Sequence, residues 1–350
     1  MTAQMPIAAD PATRDNLCLD IRDLKVHFTP RKRFGHKQQN TVKAVDGVSL
    51  AVPDGETLAV VGESGCGKST LGRAILRVNE PTAGEINYRP RGGDWVDLAT
   101  LGNDALAQYR LDLRMIFQDP FTSLNPRQTV LDAIGQPLFA HGVNRREVRD
   151  RVADIMGKVG LRPEYMSRYP HAFSGGERQR IVIARALVVR PHVVVADEAV
   201  AALDVSVRAQ TLNLLQDLQD ELKLTYLFIS HDLSVVRHIS SHVAVMYVGR
   251  LIEYGPTETV FRQPLHPYTS ALLSAIPISS PDLRGKVLRQ PLSGEVADPA
   301  NPPPGCHFHP RCPFATEVCR TQTPATTPVP GGGTVACHHW AELSLKGMPS

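Results

Sequence analysis

The chain has 350 residues, with 38 Lys and Arg against 35 Asp and Glu, a formal net charge of +3, and 42% hydrophobic residues. At roughly 100–200 residues per domain that length fits one large α/β domain plus an extension, and the composition excludes disordered and collagen-like chains. No apolar run reaches the roughly 18–20 residues of a bilayer-spanning helix, and residues 1–16 carry Asp10, Asp15 and scattered Pro where a secretory leader needs basic residues and an apolar core. The expected compartment is therefore the reducing cytoplasm, where six cysteines do not read as disulfides: Cys18 and Cys66 stand alone, while Cys306, Cys312, Cys319 and Cys337 cluster. A charge of +3 of mixed sign does not point to nucleic acid, and the basic residues Arg31, Lys32, Arg33, Lys37 and Lys43 read as a solvated loop.

In chain order, residues 17–51 alternate short apolar runs with polar breaks, as in Leu19-Asp20-Ile21 and Val48-Ser49-Leu50, the pattern of antiparallel strands with the basic loop between them. Residues 57–61 form a continuous apolar run before a glycine-rich turn, which predicts a buried strand entering a helix. Helical segments are predicted at 105–110, 130–140, 145–159 and 177–189, so about 119–185 reads as a helical insertion. Residues 193–196 and 226–229 are predicted buried strands, separated by a helix with Val207, Leu214, Leu215, Leu218 and Leu222 on one face. Strand, helix, strand predicts a parallel βαβ unit. From residue 263 Pro, Ser and Gly dominate, as in Pro302-Pro303-Pro304 and Gly331-Gly332-Gly333, marking a separate loop-rich C-terminal region over 263–350.

Gly62-Glu63-Ser64-Gly65-Cys66-Gly67-Lys68-Ser69-Thr70 fits G-x-x-x-x-G-K-[ST] between that buried strand and a helix. Its glycines let backbone N–H groups curl round a phosphate, and the helix N-terminus adds positive potential. Lys68 would contact the β- and γ-phosphates, Ser69 would ligate Mg²⁺, and Thr70 would support the loop. Asp197 and Glu198, at the end of the 193–196 run and 129 residues after Lys68, supply the carboxylates such a site needs. Asp197 is the expected partner of Mg²⁺ and Glu198 is expected to polarise the attacking water.

Phe173-Ser174-Gly175-Gly176-Glu177-Arg178-Gln179-Arg180, 23 residues before Asp197 as counted from Ser174, resembles the signature motif of ATP-binding cassette (ABC) ATPases. The resemblance spans residues 17–262 and implies an α/β phosphate-loop cassette with an antiparallel β subdomain and a helical signature subdomain. In the same family Gln118 resembles the Q-loop residue, which contacts Mg²⁺ and the attacking water; Ala202-Leu203-Asp204 resembles the D-loop, and His231 the switch histidine that senses the γ-phosphate. Phe28 falls where the family carries an adenine-stacking aromatic, with ordinary core packing as the alternative. For His231 the alternative is helix capping beside Asp232. Serine and two glycines at 174–176 open a helix and make an anion site with no base, and in the family they complete the ATP site of a second chain. Two features depart from the family: Glu177 replaces the usual Gln and would bring a negative charge toward the nucleotide, and Ala199-Val200-Ala201 lacks the usual hydroxyl.

Gln263-Pro264-Leu265-His266-Pro267-Tyr268-Thr269 and the stretch from Asn301 to Pro313 resemble the extension of oligopeptide- and dipeptide-importer ATPases. Residues 119–127 and 205–210 extend that match. The resemblance is nearest to the "F" type of subunit, which pairs with a similar "D" subunit, although relatives with similar motifs handle nickel chelates, glutathione or peptide antibiotics. It implies two membrane permease subunits, an external peptide-binding protein, and a peripheral position on the cytoplasmic face of the membrane. Cys306, Cys312, Cys319 and Cys337 offer four thiolates, enough for zinc or an iron–sulfur cluster, with His307, His309, His338 and His339 as possible substitute ligands. Cysteines of some such ATPases hold a [4Fe–4S] cluster, which is the expectation here; zinc and unliganded thiols are the alternatives. The rivals are a soluble ABC ATPase acting on DNA or the ribosome, an exporter ATPase, and a redox sensor built on the cysteines.

Overall fold

The computed structural model describes residues 14–29, 40–276 and 294–348. Arg31, Lys32, Arg33 and Lys37 lie outside the described residues; Lys43 lies on a strand. The described strands form two sheets. In the first, β1 (Leu17–Phe28) pairs antiparallel with β2 (Val42–Pro53), as the alternation predicts, and β4 (Ala83–Tyr88) and β5 (Val96–Asp97) extend it in the order β2-β1-β4-β5.

The second sheet positions the site. Its centre is β3 (Thr57–Val61), flanked in parallel by β8 (Thr225–Ile229) and β9 (His242–Tyr247), with β7 (Val193–Asp197) and β6 (Leu113–Ile116) continuing beyond β8. Every residue of β3, β7 and β8 is buried, which is why they read as unbroken apolar runs: both faces of a parallel sheet are covered. α1 (Lys68–Ile75) leaves β3, and a short α2 (Asn103–Ala107) precedes β6, ending before the predicted limit of 110.

Between β6 and β7 the chain is helical: α3 (Pro120–Ser123), α4 (Val130–Ala140), α5 (Arg145–Lys158) and α6 (Gly175–Leu187). Thr129, Asn144 and Ser174 cap the last three through their side chains, satisfying backbone N–H groups that a helix start leaves open. α7 (Val205–Leu222) joins β7 to β8 as the predicted βαβ crossover. Its buried stripe is Thr211, Leu212, Leu215 and Leu218; Val207, Leu214 and Leu222 lie at the stripe's edges, half-buried, because apolar spacing fixes a face only to within one residue.

α8 (Leu233–Ile239), β10 (Arg250–Pro256), α9 (Thr257–Arg262) and α10 (Pro267–Ser274) follow. The C-terminal segment carries α11 (Glu317–Thr321), β11 (Thr327–Pro328) and β12 (Thr334–Val335). It is not the separate region its composition predicts: β12 pairs with β10 at the edge of the large sheet, and Phe308 shares a core with Val61, Val245 and Tyr268. A segment so rich in Pro and Gly has few apolar side chains to bury against each other and borrows the sheet's surface instead.

Candidate functional site

The phosphate loop leaves the C-terminal end of β3 and enters α1 at Gly67, whose φ of 105° only glycine adopts without strain. A Cβ at Gly67 would also stand 2.0 Å from the Ala44 carbonyl oxygen, and one at Gly62 2.3 Å from that of Met246. No side chain caps α1, so its first N–H groups remain for an anion. Ser64 and Gly65 are exposed at the loop's tip, while Cys66 is buried, and burial pushes its thiol pKa up, consistent with a packing role. Lys68, also buried, donates through Nζ to the carbonyls of Gly62 at 2.8 Å and Glu63 at 2.9 Å. The loop thus folds onto its own lysine.

Across from the loop, Ser69 Oγ donates to Asp197 Oδ1 at 2.7 Å, joining the start of α1 to the end of β7. Burial pushes the Asp197 carboxyl pKa up, opposed by Ser69 and by Arg73 at 3.8 Å. Thr70 stands next along α1, half-buried. Glu198, which follows Asp197, takes φ of +47°, a left-handed conformation costing a non-glycine residue about 1–3 kcal/mol. Its carboxylate accepts from Gln118 Nε2 at 2.8 Å on Oε2 and faces His231 Nδ1 at 3.2 Å on Oε1. Gln118, expected beside Mg²⁺, therefore sits on Glu198. The three residues predicted for chemistry come from the ends of β6, β7 and β8 and meet at one carboxylate.

The remaining predicted residues stand apart. Ser174 caps α6 in a reciprocal box with Glu177: the Glu177 carboxylate accepts from the Ser174 N–H at 2.9 Å and hydroxyl at 2.8 Å. The Glu177 carboxylate, expected to bring a negative charge near a nucleotide, lies at the start of its own helix beside Gly175 and Gly176. Those hydrogen bonds hold its carboxyl below the usual range. Asp204 precedes α7, exposed and without a side-chain capping bond. Ala199 and Val200 are buried in the core of the helical layer, which explains an apolar pair in place of hydroxyls. Phe28, at the end of β1, is 46% exposed, so core packing does not account for it.

Cys306, Cys312, Cys319 and Cys337 line one cavity with His309, His338 and His339. His307 turns away to the Val248 carbonyl. Backbone N–H groups of Phe308 and His309 reach Cys306, that of Phe314 reaches Cys312 and that of His339 reaches Cys337, while burial pushes Cys312 and Cys337 up to about 11. No three of these ligand atoms lie mutually within 4.8 Å. Tetrahedral zinc at about 2.3 Å from each sulfur needs sulfurs under 4 Å apart, so the thiols are spread too widely for one zinc ion. N–H···S contacts of this kind are the ones that, in iron–sulfur proteins generally, tune the sulfurs of a bound cluster.

The group that does gather is Cys18, Asp54 and His192. His192 Nε2 meets Asp54 Oδ1 at 2.7 Å and Nδ1 meets Tyr88 Oη at 3.1 Å, with Tyr88 donating to Asp112. This network lies at the N-terminal ends of β3, β6 and β7, remote from the phosphate loop. The sequence also gave no role to Glu63, Tyr268 and Arg311, which bond one another at the loop; only an arginine among prolines beside a cysteine hinted at it.

An anion-binding loop, a Ser–Asp pair and a water-side carboxylate at the C-terminal ends of parallel strands define a phosphate-loop nucleoside triphosphatase. A family model described as ABC transporter matches residues 45–201, and one for the oligopeptide/dipeptide transporter C-terminal region matches residues 252–319. The dipeptide transport ATP-binding protein DppF of Haemophilus influenzae is 52% identical, covering 92% of this chain and 96% of its own length. The oligopeptide transport ATP-binding protein AppF of Bacillus subtilis is 47% identical over 93% and 98%. Among solved structures, cbiO1 of Clostridium perfringens, part of the ABC transporter complex cbiONQ, superposes with a TM-score of 0.58 at 25% identity, covering 70% of this chain and 91% of that one. The chain belongs to the ATP-binding proteins of oligopeptide and dipeptide ABC transporters.

Proposed function

We infer that this chain hydrolyses ATP to power dipeptide or oligopeptide import by an ABC complex. The observation that carries the reading is the meeting of Gln118, Glu198 and His231 beside the Lys68 loop. Phosphates entering the loop would draw Lys68 Nζ from the Gly62 and Glu63 carbonyls. When bound, Mg²⁺ neutralises phosphate charge, with Ser69 and Asp197 as the residues fitted to hold it. Glu198 would accept hydrogen bonds from the attacking water, oriented by Gln118, while His231, which faces the same carboxylate, would contact the γ-phosphate. Phe28 would stack on adenine.

Ser174, Gly175, Gly176 and Asp204 would serve the nucleotide of a second, related ATPase subunit, making a heterodimer. The groove lined by Met115, Phe117, Thr122, Gln136 and Ala140, next to Gln118, would receive a loop from one of two permease subunits. No helix among the described residues is long and apolar enough to cross a membrane, so that docking would hold the chain at the cytoplasmic face. Cys306, Cys312, Cys319 and Cys337 would hold a [4Fe–4S] cluster that stabilises the C-terminal segment. The test is phosphate release by the purified complex: Glu198→Gln should reduce turnover by about 10³-fold or more while retaining ATP in a stable dimer. Turnover within tenfold of the native rate would remove Glu198 from its role.

A further inference from the structure

The C-terminal segment touches the phosphate loop itself. Glu63, the second residue of the loop, is held on two sides. Arg311 grips its carboxylate in a two-pronged pair, Nη1 to Oε2 at 2.7 Å and Nη2 to Oε1 at 3.1 Å. Its backbone N–H donates to Tyr268 Oη at 2.8 Å. The carbonyl of the same residue receives Lys68 Nζ. One residue thus carries both the anchor and the contact of the phosphate-binding lysine.

Both anchors are rigid. The Arg311 side chain is 5% exposed, lies about 6 Å from the rings of Tyr247 and Phe308, and reaches Tyr247 Oη. Tyr247, Tyr268 and Phe308 pack as a three-ring cluster with centroids 4.7 to 5.4 Å apart. The paired carboxylate holds the guanidinium above its ordinary basicity. A planar fork on a carboxylate in a water-poor setting fixes distance and direction together, which a lysine cannot do.

We propose that Arg311 and Tyr268 are positioning residues that hold the phosphate loop in its nucleotide-accepting shape, so that the C-terminal segment sets the affinity of the ATP site. The proposal rests on the reading of that loop as the ATP site. Arg311 directly precedes Cys312, so the turn that carries the anchor also carries one of the four clustered thiols.

The test compares the full chain with Arg311→Ala, Arg311→Lys, Glu63→Gln and the Arg311→Ala/Glu63→Gln pair. Hydrogen exchange of the amides of residues 62–68 is measured without nucleotide, and affinity is measured by titrating trinitrophenyl-ATP with Mg²⁺. A hydrogen bond to a charged group contributes about 1.5–3 kcal/mol, so Arg311→Ala and Glu63→Gln should each speed loop exchange and weaken binding by about tenfold or more. Arg311→Lys should fall between, and the pair should be no worse than either single change, since both remove one interaction. Glu63→Gln leaves the C-terminal segment intact, so exchange over residues 306–319 should stay native; a general loosening would raise it too. Native loop exchange in both single variants, or additive losses in the pair, would overturn the proposal. A native chain that ignores the ATP analogue, while the variants still loosen the loop, would overturn the ATP reading and leave the anchor supported.

Discussion

Glu253 gives the clearest stability prediction. It lies on β10 with 2% exposure, and no ion pair reaches it among the described residues. Its two oxygens accept from the Leu265 N–H at 2.7 Å and the His266 N–H at 3.0 Å, holding the turn that starts α10 and so places Tyr268. Burial outweighs these bonds and pushes the carboxyl up to about 7 from 4.5. A folded pKa above the unfolded one contributes stability that is full below about 4.5 and is lost as pH rises through 7. At about 1.4 kcal/mol per tenfold change in proton affinity the whole loss is about 3 kcal/mol, of which about 2.5 falls between pH 5 and 8. His266, pushed down to about 3, keeps its protonation across that range. Glu253→Gln removes the titration and keeps one acceptor, so its hydrogen-bond deficit is the same at every pH. Urea unfolding at pH 5, 6, 7 and 8 should show the variant gaining on the native chain by about 2–3 kcal/mol over the series. Parallel stability curves would refute the assignment of a buried, unpaired carboxylate.

Glu177→Gln should keep the cap of α6, because Gln also closes a capping box, and change stability by less than about 0.5 kcal/mol. With the carboxylate gone from the helix start, ATP-driven dimerisation in a Glu198→Gln background should strengthen by several-fold in sedimentation; an unchanged dimer constant would show that Glu177 does not oppose the second nucleotide. Anaerobically purified protein should be brown and contain iron and sulfide, and Cys312→Ser should lose both the colour and thermal stability; stoichiometric zinc in colourless protein would exclude the cluster.

The parallel sheet was legible because its strands are apolar on both faces, and the phosphate loop because its glycines are required by backbone geometry at Gly62 and Gly67. The meeting of Gln118, Glu198 and His231 was legible only through resemblance, since no local spacing places residues 80 and 33 positions apart at one carboxylate. Two features escaped for one reason. The packing of the C-terminal segment on β10, and the Arg311–Glu63 pair across 248 residues, are long-range choices among many possible partners. Composition records that the segment is poor in core residues, but not which surface it borrows. The Ser174–Glu177 contact was legible locally, because the two residues have capping-box spacing, and it leaves the carboxylate at the start of its own helix.

The groups assigned to the phosphate site are hydrogen-bonded to one another or to the loop. Lys68 is spent on the loop's carbonyls, Ser69 on Asp197, Ser174 on Glu177, and Glu198 on Gln118 and His231. ATP affinity is therefore a difference between new contacts and these replaced ones, each worth about 1–3 kcal/mol where a charge is involved. Each replaced contact would be available again once the γ-phosphate leaves. The self-paired groups can thus drive the site back to its resting state after hydrolysis, as a cycling ATPase requires. The Arg311–Glu63 and Tyr268–Glu63 contacts need not break for phosphate to enter, which is why they can act as a fixed frame against which the others exchange.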